Sequence, residues 1–121
     1  HYESMREQLR SAAGGDLRAL QHAPVHAGLD AAAQAALLSL CAAYLVHLAP
    51  TPGGDPVARF HLDNGARLER LNAGADLSAK GLKQSFGVMV NYLYDLEQIE
   101  AGHEKFVNAE VARSRAVNAV M

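Results

Sequence analysis

Residues 55–94 read DPVARFHLDNGARLERLNAGADLSAKGLKQSFGVMVNYLY, and the fold turns on residues 66–72 (ARLERLN) in the middle of that stretch. Arginine, leucine and glutamate are good helix formers, and Leu68 and Leu71 are spaced for one face of a short helix. The same residues form a strand if tertiary pairing overrides that weak local preference. Read as helix, they make the chain an all-helical bundle; read as strand, they make it mixed α/β. Upstream, His61 stands between Phe60 and Leu62, and Asp63, Asn64 and Gly65 form a turn signal. Downstream, Ser78 is placed to cap a helix predicted over 78–98, with an apolar stripe of Leu82, Phe86, Met89, Leu93 and Leu96 toward the core. Lys83, Gly87, Asn91 and Tyr94 fall on one line along that helix, with a glycine where backbone can approach closely. That line reads either as contact with a neighbouring helix, Asn91 and Tyr94 satisfying buried polar groups, or as the wall of a ligand site.

Before this stretch, residues 29–48 (LDAAAQAALLSLCAAYLVHL) favour a buried helix, with Asp30 where a cap belongs. Its length and apolarity also suit a membrane span, but Gln34, Ser39, His47 and the lack of a basic flank argue against one. Pro50, Pro52, Gly53 and Gly54 then form a loop. At the start, Tyr2, Met5 and Leu9 recur among charges as a solvated amphipathic helix ending near Gly14 and Gly15, and Asp16 can cap a short turn bearing Leu17 and Leu20. His22 and His26 have the spacing of a helical metal pair, but Pro24 between them spoils that helix and no third ligand is evident, so they read as loop histidines. At the other end, Gly102 ends or bends the 78–98 helix, and residues 110–121 read as a terminal helix docking Val111, Val117 and Val120, with Arg113 and Arg115 solvated.

Composition narrows the function classes. A chain of 121 residues and 50% hydrophobic content can bury a core, while a net charge of −2 and a pI near 6.3 leave no basic field for nucleic acid or an anionic membrane. The single cysteine, Cys41, supports neither a disulfide framework nor a thiolate metal site, which fits a reducing compartment and a cytoplasmic location. The chain opens on His1 with no signal-peptide pattern, and is expected to be a segment of a longer polypeptide.

PVARFHLDNGA (56–66) and LNAGADLSAKGLKQSFGVMVNYLYDLE (71–97) resemble the C-terminal end of the malonyl-CoA decarboxylase family, and LCAAYLV (40–46) resembles the helix that precedes it. The likeness covers residues from about 28 to 121; residues 1–27 read as peripheral helices and loop. The resemblance implies the C-terminal portion of an acetyltransferase-like (GNAT-like) catalytic domain, mixed α/β and mostly helical, with residues 66–72 as a strand. It implies decarboxylation of malonyl-CoA to acetyl-CoA and carbon dioxide, with no cofactor and no metal. His61 takes the place of the family's catalytic histidine and Tyr94 that of its site tyrosine. Asn64 and Asn91 are the substrate-binding candidates, although an Asx turn at Asn64 competes with that role. The family's serine belongs to a motif further upstream with no counterpart here, so the remainder of the enzyme is an expected partner, and a homo-oligomer is admitted. Ala73 and Gly74 stand where the family pattern favours a bulky aromatic, which puts pocket shape in question.

The chemistry accounts for those residue types. Loss of carbon dioxide from a malonyl thioester leaves an enolate, whose oxyanion must be stabilised and whose α-carbon must be protonated away from bulk water. An imidazole, with an ordinary pKa of about 6.5, holds and releases a proton near neutrality. Two other classes stay open: a related acyl-CoA acyltransferase or decarboxylase of the same fold, which the resemblance also admits, and a noncatalytic helical interaction module, which the alanine-rich helix and small size suggest.

Overall fold

The computed structural model describes residues 2–121; His1 lies outside them. The fold is mostly helical with a two-stranded antiparallel sheet, and the described residues divide into two units, 2–40 with 72–89 and 41–71 with 90–121.

In the first unit, α1 (Tyr2–Ala12) carries exposed Arg6–Glu3 and Arg10–Glu7 pairs and buries Leu9. Asp16 caps the 3-10 turn Leu17–Gln21 by accepting the Arg18 N–H at 3.0 Å, as its position before Leu17 suggested. The expected histidine loop is instead a short helix, α2 (Ala23–Ala27). Pro24 sits in its first turn, where its missing N–H costs nothing, so the proline starts the helix rather than spoiling it. His26 is thereby buried, 4% exposed, while His22 stays outside as the N-cap residue. The long helix α3 (Ala31–Leu48) contributes buried Ala33, Ala36 and Leu37 to this unit; by length and composition it is also apolar enough to cross a membrane.

The predicted 78–98 helix is broken after two turns. Helix α5 (Ala79–Ser85) starts at the Ser78 cap, whose Oγ accepts the Gly81 N–H at 3.1 Å. It stops because Phe86 (φ 52°) and Gly87 (φ +76°) turn left-handed, with the Gly87 N–H returned to Gly81 O at 3.2 Å. Gly87 O then accepts from Ala75 and Asp76 at 3.0 and 3.3 Å, which closes the 75–87 loop. Beyond it, the run Val88–Tyr94, dense in β-branched and aromatic residues, leaves the helix and forms β2 (Met89–Leu93). The proposed core stripe keeps Leu82 buried on α5 but is lost beyond the break, where Met89, Leu93 and Leu96 are exposed.

The second unit is built on β1 (Arg67–Asn72), the stretch whose local preference is ambiguous and which the family resemblance makes a strand. β1 pairs with β2 along one edge. On the other edge, the Leu68 N–H donates to Ala112 O and the Ser114 N–H to Leu68 O, both at 2.9 Å, in a parallel bridge. A strand donating and accepting on both edges gains backbone bonds that a short isolated helix forgoes, which is why weak helix propensity loses here. Because residues 112–114 are used in that bridge, the terminal helix is only α7 (Arg115–Val120), capped by Ser114. Gly102 neither ends nor bends a helix; it lies inside α6 (Ile99–Val107). A Cβ there would come within 2.4 Å of Gly65 O, and one at Gly65 within 2.3 Å of Ile99 O, so the two glycines let α6 touch the turn after α4 (Pro56–Asp63). Ala42, Leu45, Ala58, Leu62, Leu68, Leu71, Val111 and Val117 are this unit's buried centre.

Candidate active site

The site begins with α4, a helix where the sequence reading saw only a flanked histidine and a turn. Asp55 caps it by accepting the Ala58 N–H at 2.9 Å, and Pro56 occupies its first turn. Arg59 ties its flank to the preceding loop, donating to Ala49 O at 3.1 Å and also to Thr51 O. Ala58 and Leu62, one turn apart, are fully buried and fix the rotation of the helix, which leaves Val57 and Phe60 outward at 59% and 63% exposed. His61 lies at the border between these faces, half-buried.

Strand β2 supplies the other wall. Side chains alternate along a strand, so Tyr92 and, two residues on, Tyr94 share one side while Met89, Asn91 and Leu93 take the other. The Tyr94 hydroxyl lies 2.6 Å from His61 Nδ1. Tyr92 stacks on the same imidazole, ring centres 4.3 Å apart and planes 22° from parallel. Phe60 meets that ring edge-on at 5.3 Å and 77°. Burial, then the negative charge of Asp55 and the neighbouring Tyr94, push the Tyr92 phenol up to about 12.

Of the four residues singled out from sequence, the structure therefore brings His61 and Tyr94 into direct contact. Asn64 closes the C-terminus of α4, its amide donating to Phe60 O at 2.7 Å. Asn91 is exposed on the sheet side opposite Tyr92; the line that grouped it with Tyr94 belonged to a helix that does not form. Sequence reasoning missed Tyr92 and the capping Asp55. The signal for Tyr92 was available in NYLY, because reading it at period two instead of 3.6 places both tyrosines together.

A separate groove of about 670 Å³ at the end of α4 is lined by Asp63, Asn64, Glu100, His103 and Glu104 with Ile99 and Val107. There His103 Nδ1–H donates to Asp63 O at 2.5 Å. Among the described residues no group of three His, Cys, Asp or Glu side chains is placed to hold a metal ion.

Residues 3–121 match the family model described as malonyl-CoA decarboxylase C-terminal domain. The mitochondrial malonyl-CoA decarboxylase of Mus musculus is 49% identical over 71 residues, which is 58% of this chain and 14% of the mouse protein. The crystal structure of malonyl-CoA decarboxylase from Cupriavidus metallidurans superposes with a TM-score of 0.76 at 34% identity, over 98% of this chain and 31% of that one. That from Agrobacterium vitis gives 0.69 at 53% identity, over 74% of this chain and 23% of that one. The chain thus spans less than a third of the length of each of these relatives.

Proposed function

Because this chain belongs to the malonyl-CoA decarboxylase C-terminal domain family, we propose that it supplies the proton-donating side of a site converting malonyl-CoA to acetyl-CoA and carbon dioxide. His61 is the donor and Tyr94 its partner. The observation that carries this reading is the 2.6 Å contact between His61 Nδ1 and the Tyr94 hydroxyl, because it commits one ring nitrogen and leaves Nε2 to face substrate. In the imidazolium, Nδ1–H donates to Tyr94 Oη while Nε2 carries the transferable proton. When the bond between the α-carbon and the carboxylate breaks, its electron pair passes into the thioester as an enolate and carbon dioxide leaves. The α-carbon then takes the Nε2 proton to give acetyl-CoA, and the ring remains neutral with Nδ1–H still on Tyr94. Solvent restores the proton.

The enolate oxygen and most of coenzyme A are held, in this proposal, by the upstream part of an acetyltransferase-like catalytic domain, where the family resemblance puts the serine. Asn64 is better suited to shaping the end of α4 than to touching substrate, since its amide already donates to Phe60 O. Mixing this chain with the upstream part of the enzyme and following acetyl-CoA release tests the reading. His61→Ala is expected to lower kcat by at least roughly a hundredfold, the usual size of a general-acid contribution. Full activity in that variant would remove His61 from the mechanism. Profiling other acyl thioesters in the same assay separates a malonyl-CoA decarboxylase from a related acyl-CoA enzyme.

A further inference from the structure

We propose that Tyr92 is a positioning residue for His61: its ring holds the plane of the imidazole while Tyr94 holds its edge, so that Nε2 is the nitrogen presented to substrate. The inference rests on the reading of His61 as proton donor and adds a residue that the family motif does not single out.

The two contacts restrain different motions. A flat ring 4.3 Å away and 22° from parallel resists tilting of the imidazole about its Cβ–Cγ bond, because tilting drives ring atoms into the tyrosine face. The stack is indifferent to a half-turn, which keeps the plane but exchanges Nδ1 with the carbon across the ring. The bond from Nδ1 to Tyr94 Oη is sensitive to that half-turn and lost by it. Taken alone, however, one hydrogen bond at one corner lets the ring pivot around it. Only both together define where Nε2 points. Phe60, edge-on at 5.3 Å, adds apolar cover beside the ring without matching the stack.

Tyr92 suits this task in two further respects. Its phenol is pushed up to about 12, so the stacked face stays uncharged through the range in which an imidazole exchanges protons. Asp55, whose charge contributes to that shift, also caps the helix that carries His61.

Two substitutions separate ring from hydroxyl. Tyr92→Phe keeps the flat face, and Tyr92→Ile keeps strand propensity while removing it. In proton NMR of this chain, the His61 ring C–H resonances are expected to lie upfield in the wild type and in Tyr92→Phe, from the ring current of the stacked face, and to move back in Tyr92→Ile. Unshifted His61 resonances in the wild type overturn the proposal, a result that needs no variant to fold. In the acetyl-CoA release assay, Tyr92→Ile is expected to lose roughly tenfold in kcat with KM held within about twofold, and Tyr92→Phe to stay within about twofold of wild type in both. Wild-type kcat in Tyr92→Ile, or equal losses in both variants, assigns the effect elsewhere and overturns it. Full activity of His61→Ala instead defeats the proton-donor reading, and the ring-current measurement still reports whether the stack exists.

Discussion

The titration of individual side chains follows from where each one is packed. The Tyr92 phenol, raised from 10.0 to about 12 mainly by burial, ionises later in the folded chain than in the unfolded one. Its contribution to stability is fully present below pH 10 and is lost as pH rises toward 12, since in that window the unfolded chain binds fewer protons. A pH titration of tyrosinate absorbance should therefore show a component near pH 12 that Tyr92→Phe removes. Cys41 is expected to be inert for a related reason: burial pushes its thiol up to about 11. At pH 8 roughly one thiol in a thousand is then the reactive thiolate, so a thiol reagent should label the folded chain slowly and the denatured chain fast. Tyr94→Phe deletes the partner of His61 Nδ1 while keeping the ring, and should cost roughly tenfold in kcat, measured by acetyl-CoA release. These properties were partly legible beforehand. The place of the lone cysteine in an apolar helical run already pointed to a largely covered thiol, whereas the shift of the Tyr92 phenol depends on its packing and on Asp55, which lies far from it in sequence.

At the scale of elements, backbone geometry makes sharper demands than composition. Gly102→Ala puts a methyl group against Gly65 O, where neither α6 nor the turn after α4 has side-chain slack to give. A loss of about 2–4 kcal/mol is expected in urea denaturation, in the range of severe overpacking. Ala109 is an exposed residue at φ 63°, a conformation an L side chain resists, and Ala109→Gly should raise stability by about 0.5–1 kcal/mol in the same measurement. Elements with a strong local signal were readable: α1 from its charged and apolar spacing, α3 from its alanine and leucine content, and α5 from its Ser78 cap. The 78–98 helix was over-extended because Leu82, Phe86, Met89, Leu93 and Leu96 satisfy a 3.6-residue period by coincidence. The Phe86–Gly87 reversal ends that period, and a left-handed phenylalanine leaves no mark in propensity.

For the molecule as a whole, membership of the malonyl-CoA decarboxylase C-terminal domain family holds over residues 3–121, and the turnover proposed above calls on polypeptide beyond this chain. The chain alone, spanning 31% of the solved Cupriavidus relative, is expected to release no acetyl-CoA, and adding the upstream part of the enzyme is expected to restore release in proportion to complex formed. The amino-acid sequence by itself, through FHLDNGA and NYLY and the family they resemble, singled out His61 and Tyr94, which the structure brings into contact, along with the long apolar helix and a net charge of −2. Only the tertiary structure decided that NYLY alternates along a strand and that Tyr92 lies flat on His61, and it supplied the pairing that makes residues 67–72 the strand that local preference left open and the family resemblance implied. The physical reason is common to all three. Each depends on hydrogen bonds or ring contacts with residues more than twenty positions away along the chain, to Ala112, Arg113 and Ser114 for β1 and to His61 for the tyrosines, and no local preference encodes such a partner.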